Sequence, residues 1–104
     1  MEVIMVIEGN KEIFENEVIN GEGKVLVDFN ATWCGPCRML KPVLDQIAND
    51  GKKIIAIDVD NERDLAIEYG IQSIPCIILF ENGKEIKRSV GLVPKSDIES
   101  MFED

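Results

Sequence analysis

Histidine is missing from this chain of 104 residues, and cysteine occurs only three times. A closed zinc site takes four ligands, usually Cys and His, so one copy of the chain would need carboxylates to complete one. No metal site is expected. Small secreted domains stapled by disulfides carry a larger, even set of cysteines, which three cannot supply. No apolar run approaches the length of a bilayer span. The N-terminus, Met1-Glu2-Val3-Ile4-Met5-Val6-Ile7-Glu8, has no basic stretch, and its apolar segment is too short for a signal-peptide core. The expected location is therefore cytoplasmic. Positive charge is in deficit, with 11 basic residues against 20 acidic and a net charge of -9. Such a surface repels nucleic-acid phosphates and anionic lipid, which removes nucleic acid and membranes as expected partners.

What is present fits one globular domain, residues 1–104, with 45% hydrophobic and 30% charged residues and no repeat or linker. Residues 3–7 read as a short buried strand. Asn10 then caps a helix whose Ile13, Phe14 and Val18 share a face, ending at Gly21-Glu22-Gly23. Residues 24–29 read as a strand buried on both faces. The next helix, from about Cys34 to Asn49, has Met39, Leu40, Val43, Leu44 and Ile47 as its apolar stripe and Pro42 as an expected kink. Residues 53–59 form another apolar strand. Asp60 or Asn61 is placed to cap a helix through Tyr69, closed by Gly70. Residues 76–80 and 85–90 read as two apolar strands flanking Asn82-Gly83, a strong hairpin signal. A last helix starts at Val93-Pro94-Lys95 and buries Ile98, Met101 and Phe102. The order βαβαβαββα predicts an α/β fold with a central mixed five-stranded sheet and helices on both faces.

Cys34-Gly35-Pro36-Cys37 follows a strand and opens a helix, the context in which C-x-x-C reads as a redox motif. One helical turn brings residues i and i+3 to the same side, within reach of a disulfide. The N-terminal N–H groups and positive dipole end favour a thiolate at Cys34, and the thiolate is the attacking species. Pro36 suits the first turn, where its missing N–H costs nothing. Gly35 leaves room for a partner's backbone. Asp28, inside Val25-Leu26-Val27-Asp28-Phe29, is either buried, with a raised pKa suited to a general base, or turned to water at a strand end. Cys76 opens an apolar strand and reads as a small buried residue in preference to a third reactive thiol.

The run Val27-Asp28-Phe29-Asn30-Ala31-Thr32-Trp33-Cys34-Gly35-Pro36-Cys37 resembles the active-site segment of the thioredoxin family. Ile71-Gln72-Ser73-Ile74-Pro75 is similar to its cis-proline loop, and Val90-Gly91 to its late glycine turn. The resemblance covers essentially the whole chain. It implies a thioredoxin fold and a thiol–disulfide oxidoreductase that reduces client-protein disulfides. Cys34 would be the nucleophile, Cys37, more buried, the resolving thiol, and Asp28 the proton-transfer group beneath it. Pro75 would be cis and shape the site. Trp33, Gly35, Pro36, Ile74, Gly91 and Leu92 would form a flat apolar docking patch. The implied partners are disulfide-containing clients and a flavin-containing thioredoxin reductase drawing on NADPH. No Gly-rich nucleotide motif occurs here, so NADPH and FAD belong to that reductase, and no bound cofactor is expected. The protein is expected to act as a monomer.

Two positions depart from the family pattern. Ala56 stands where many relatives carry a lysine near the buried aspartate, so Asp28 loses one stabiliser of its ionised form. Asn30 stands where a bulky aromatic is common. Rival readings are a disulfide oxidant or isomerase on the same fold, a binding module that uses the apolar patch without redox chemistry, and a cluster-binding dimer.

Overall fold

The computed structural model describes residues 5–104. Five strands form one sheet in the order β1-β3-β2-β4-β5. β2 (Lys24–Asn30) lies at its centre, parallel to β3 (Ile54–Asp58) and antiparallel to β4 (Cys76–Glu81). β1 (Ile7–Glu8) pairs in parallel with β3, and β5 (Lys84–Val90) pairs antiparallel with β4 at the other edge. The mixed five-stranded sheet is the one the element order predicts.

Side chains alternate across β2, which divides the core in two. Val25, Val27 and Phe29 pack with Ile55, Ile57, Cys76, Ile78 and Phe80 under Phe14, Val18 and Leu65. Those last three come from α1 (Lys11–Phe14), the wider π-helical turn Glu15–Ile19 that continues it, and α3 (Arg63–Glu68). Leu26, Ile54, Ile77 and Leu79 face the other way, against Leu40, Leu44, Ile47 and Ala48 of α2 (Gly35–Asn49) and Ile98 and Met101 of α4 (Lys95–Met101). The α2 residues recur at spacings of three and four, the period of one helix face.

Several expectations are corrected. Positions 3 and 4 of the first expected strand lie outside the described residues, and the strand seen is Ile7–Glu8, with Met5 exposed. Only Ile7 and Glu8 come into register with β3, opposite Ile55 and Ala56. The first helix is α-helical for only four residues, and its closing bond runs five residues back, from Asn20 N–H to Glu15 O (3.0 Å). Met39 points to solvent, because the packed face of α2 is centred on Leu40 and Leu44. Glu62, not Asp60 or Asn61, precedes α3, since Asp58 Oδ1 accepts from the N–H groups of both residues and holds them in a turn. β5 is exposed along nearly its whole length, as an edge strand with one face in water.

The hairpin tip is tied to the start of β2: Asn82 Oδ1 accepts from Gly23 N–H (2.8 Å), and Asn82 N–H donates to Gly23 O (3.0 Å). Asn82 and Gly83 both have positive φ, 51° and 86°, as a two-residue I′ turn requires. A Cβ on Gly83 would also sit 2.4 Å from the carbonyl oxygen of Ile19. Gly83→Ala is therefore expected to cost about 2 kcal/mol in urea unfolding. An unchanged midpoint would contradict the close approach.

Candidate functional site

α2 begins where β2 ends, and Cys34 occupies its N-cap position. The Cys34 sulfur accepts from the Cys37 N–H at 3.2 Å, one of the donors a helix N-terminus leaves unpaired. Pro36 falls in the first turn, where it removes no helical bond. Cys34 and Cys37 form a disulfide with a Cα–Cα distance of 5.2 Å. The expected difference in burial is absent in this oxidised state: Cys34 is 5% and Cys37 6% exposed, packed with Ala31, Val59 and Ile74. They differ in surroundings instead. Cys34 Sγ lies 3.8 Å from the carbonyl oxygen of Ile74, whereas Cys37 lines a cavity of about 510 Å³ on the α2 side of the sheet.

Asp28 lines the same cavity and is buried, so the water-facing alternative falls. It sits between Ala56 of β3 and Ile77 of β4 in register, and both neighbours are apolar. Its Oδ1 has no hydrogen-bond partner. Oδ2 accepts one long bond from Asn30 Nδ2 (3.4 Å), whose hydrogens also serve the backbone oxygens of Asp28 (3.0 Å) and Ile57 (3.3 Å). Desolvation is the main cause that raises the Asp28 pKa from 3.8 to about 7, with repulsion from Glu8 adding to it. The Asn30 bond and the positive charge of Lys41 oppose the rise. Ala56 supplies no cation, as expected from the sequence.

The other singled-out residues surround the cysteine pair unevenly. The Ile74–Pro75 peptide bond is cis, and Gly91 N–H donates to Pro75 O at 2.7 Å, which ties the two loops together. Trp33 is 66% exposed and Leu92 45%. Pro36 is exposed, and Gly35, Ile74 and Gly91 are half-buried. Trp33 Nε1 donates to Asp60 Oδ2 at 2.8 Å, so Asp60 orients the indole, a role its sequence position did not signal. Cys76 lies on the opposite face from Asp28, buried among Phe14, Phe29 and Phe80, and that burial pushes its thiol pKa up. Among the described residues, no group of three or more His, Cys, Asp or Glu is placed to hold a metal ion, and no helix is long and apolar enough to cross a membrane.

A disulfide closed across the first turn of a helix, with one sulfur facing a buried carboxyl's cavity, defines a thiol–disulfide exchange centre. The thioredoxin family profile matches residues 5–104. A thioredoxin of Porphyra purpurea is 48% identical over 90 residues, covering 84% of both chains. One from Chlorobaculum thiosulfatiphilum is 42% identical over 100 residues, covering 93% of both. The solved structure of a mutant thioredoxin from Halobacterium salinarum NRC-1 superposes with a TM-score of 0.83 at 34% identity, covering 95% of this chain and 87% of that one. The chain belongs to the thioredoxin family, and it is a thiol–disulfide oxidoreductase of the protein-disulfide reductase kind.

A buried acid with a raised pKa opposes folding once it ionises. Between pH 3.8 and about 7 the unfolded chain has released this proton and the folded one still holds it. Stability therefore falls through that window and levels off above it. The full penalty is on the order of 4 kcal/mol. Asp28→Asn is expected to raise the urea midpoint of the oxidised protein, and to raise it more at pH 8 than at pH 4. An equal gain at both would contradict the raised pKa.

Proposed function

We propose that this protein acts as a single-domain, monomeric reductase of disulfides in client proteins in the cytoplasm. In this reading a flavin-containing thioredoxin reductase recharges it with electrons from NADPH. The observation that carries the reading is the disulfide at the start of α2, whose Cys37 half shares a cavity with the buried carboxyl of Asp28. Two electrons are exchanged per cycle, and cell redox homeostasis is the setting such a carrier serves. A cytoplasmic site is supported by the low cysteine count and the buried free thiol of Cys76.

In the reduced protein, Cys34 is the nucleophile. Its thiolate is held by the Cys37 N–H and the positive end of the α2 dipole. It attacks one sulfur of the client disulfide, that S–S bond breaks, and the first client thiolate leaves as the mixed disulfide forms. Asp28, close to half ionised near pH 7, takes the proton of the Cys37 thiol through the cavity. The Cys37 thiolate then attacks the Cys34 sulfur. The Cys34–Cys37 bond closes, and the second client thiolate departs and is protonated. The client gains two electrons and the cysteine pair loses them.

Pro75 shapes the site beside the pair, and the half-buried Ile74 offers backbone groups to an extended client segment, a form of strand addition. Trp33, Gly35, Pro36, Gly91 and Leu92 complete the docking patch. A Cβ on Gly35 would meet no atom within 4 Å beyond its chain neighbours and its own helix backbone, so internal packing does not require glycine there. Room for the client supplies the reason.

Cys37→Ser is expected to accumulate clients as mixed disulfides on Cys34, and Cys34→Ser to accumulate none. Recovery of no disulfide-linked partners on Cys37→Ser would overturn the reductase reading. Asp28→Asn should slow insulin-disulfide reduction near pH 7 by at least about tenfold and remove the rate's dependence on a group titrating there. An unchanged pH–rate profile would remove Asp28 from the proton step.

A further inference from the structure

The Asp28 cavity opens at a rim that carries an ion pair. Lys41 Nζ of α2 lies 3.4 Å from Glu8 Oε1 of β1, and both side chains are mostly exposed. Both residues line the cavity whose buried end holds Asp28 and Cys37. Ala56, the β3 neighbour of Asp28, contributes only a methyl group, so β3 places no charge directly beside Asp28. The remaining charged residues of the lining are committed elsewhere. Arg38 of α2 donates to the backbone oxygen of Thr32 (2.9 Å), and Asp58, at the end of β3, uses its Oδ1 on the N–H groups of Asp60 and Asn61. β4 faces Asp28 with the apolar Ile77. The Arg38 and Asp58 bonds to neutral backbone groups fix those two side chains in place without cancelling their charges. Among the charged residues of the lining, Glu8 and Lys41 are the pair whose charges bear on the buried carboxyl, with opposite sign.

We propose that Glu8 and Lys41 are positioning residues for the proton step: their exposed pair replaces a buried cation in setting how tightly Asp28 holds its proton. Glu8 acts in two ways. It repels the Asp28 carboxylate directly, and it anchors Lys41 at the rim instead of above the carboxyl. Lys41 opposes the repulsion by attracting the same carboxylate. Because the pair stands in water, ions screen it, and the setting depends on salt in a way a buried lysine would not. The inference rests on Asp28 serving as the proton acceptor for Cys37, but it concerns a property of Asp28 that can be read without turnover.

The test is a carbon-13 NMR titration of the Asp28 carboxyl in the oxidised wild type, Glu8→Gln, Lys41→Met and the double variant, at low salt and at high salt. At low salt, Lys41→Met is expected to move the Asp28 midpoint up by about half a pH unit and Glu8→Gln to move it down by a similar amount, the size of an effect between partly solvated charges. The double variant should fall between the two, and high salt should shrink all three differences. Four coincident titrations at low salt would overturn the proposal whatever the reaction rates do. Loss of the Asp28 role in turnover is read separately, from the Asp28→Asn rate profile. The pH midpoint of insulin reduction in each variant should follow its carboxyl midpoint, which a purely structural ion pair would not move.

Discussion

β2 is covered on both faces, and every side chain from Val25 to Phe29 must enter one of two apolar layers. Strand alternation leaves no third choice. Once Val25, Val27 and Phe29 fill the layer under Phe14 and Leu65, Leu26 and Asp28 must face α2. The carboxyl of Asp28 is thereby carried into the interior beside the helix whose first turn holds both cysteines. A shift of β2 by one residue would send Asp28 into the Phe14 layer, where Cys76 lies, and would separate acid from disulfide.

The burial that raises the proton affinity of Asp28 also makes it costly. An ionised carboxylate with a free oxygen in an apolar layer opposes folding, and the same desolvation lifts its proton affinity into the neutral range. The two layers of packed aliphatic and aromatic side chains offset that cost. Around the disulfide the arrangement is open where a client must reach it and closed beneath. Trp33 stands exposed, held by Asp60, while Cys37 turns to the cavity.

Local signals carried most of the fold. The Cys34-Gly35-Pro36-Cys37 turn, the spacing of Leu40, Leu44 and Ile47, and Asn82-Gly83 each reflect short-range geometry, and each lies where its pattern indicates. Met39 and the exposed β5 were misjudged because periodicity identifies a face without saying how wide its cover is. Asp60 looked like a helix cap, since its bond to Trp33 spans 27 residues and leaves no local trace. The burial of Asp28 was undecidable from its own strand and follows from the strands on either side, β3 and β4. The Glu8–Lys41 pair, 33 residues apart, arises only when β1 joins the sheet edge beside α2. Ala56 and Asn30 were visible as departures, but the three acceptors shared by Asn30 depend on the register of β2 with β3.

The central claim is that one buried carboxyl, placed by strand parity in the cavity that Cys37 also lines, changes charge in the neutral range. The most direct measurement is an infrared titration of the oxidised protein from pH 3 to pH 9, with Asp28→Asn as the reference. The account predicts a protonated-carboxyl band, absent from Asp28→Asn, that disappears around pH 7. Disappearance of that band near pH 4, where ordinary surface carboxyls ionise, would contradict it.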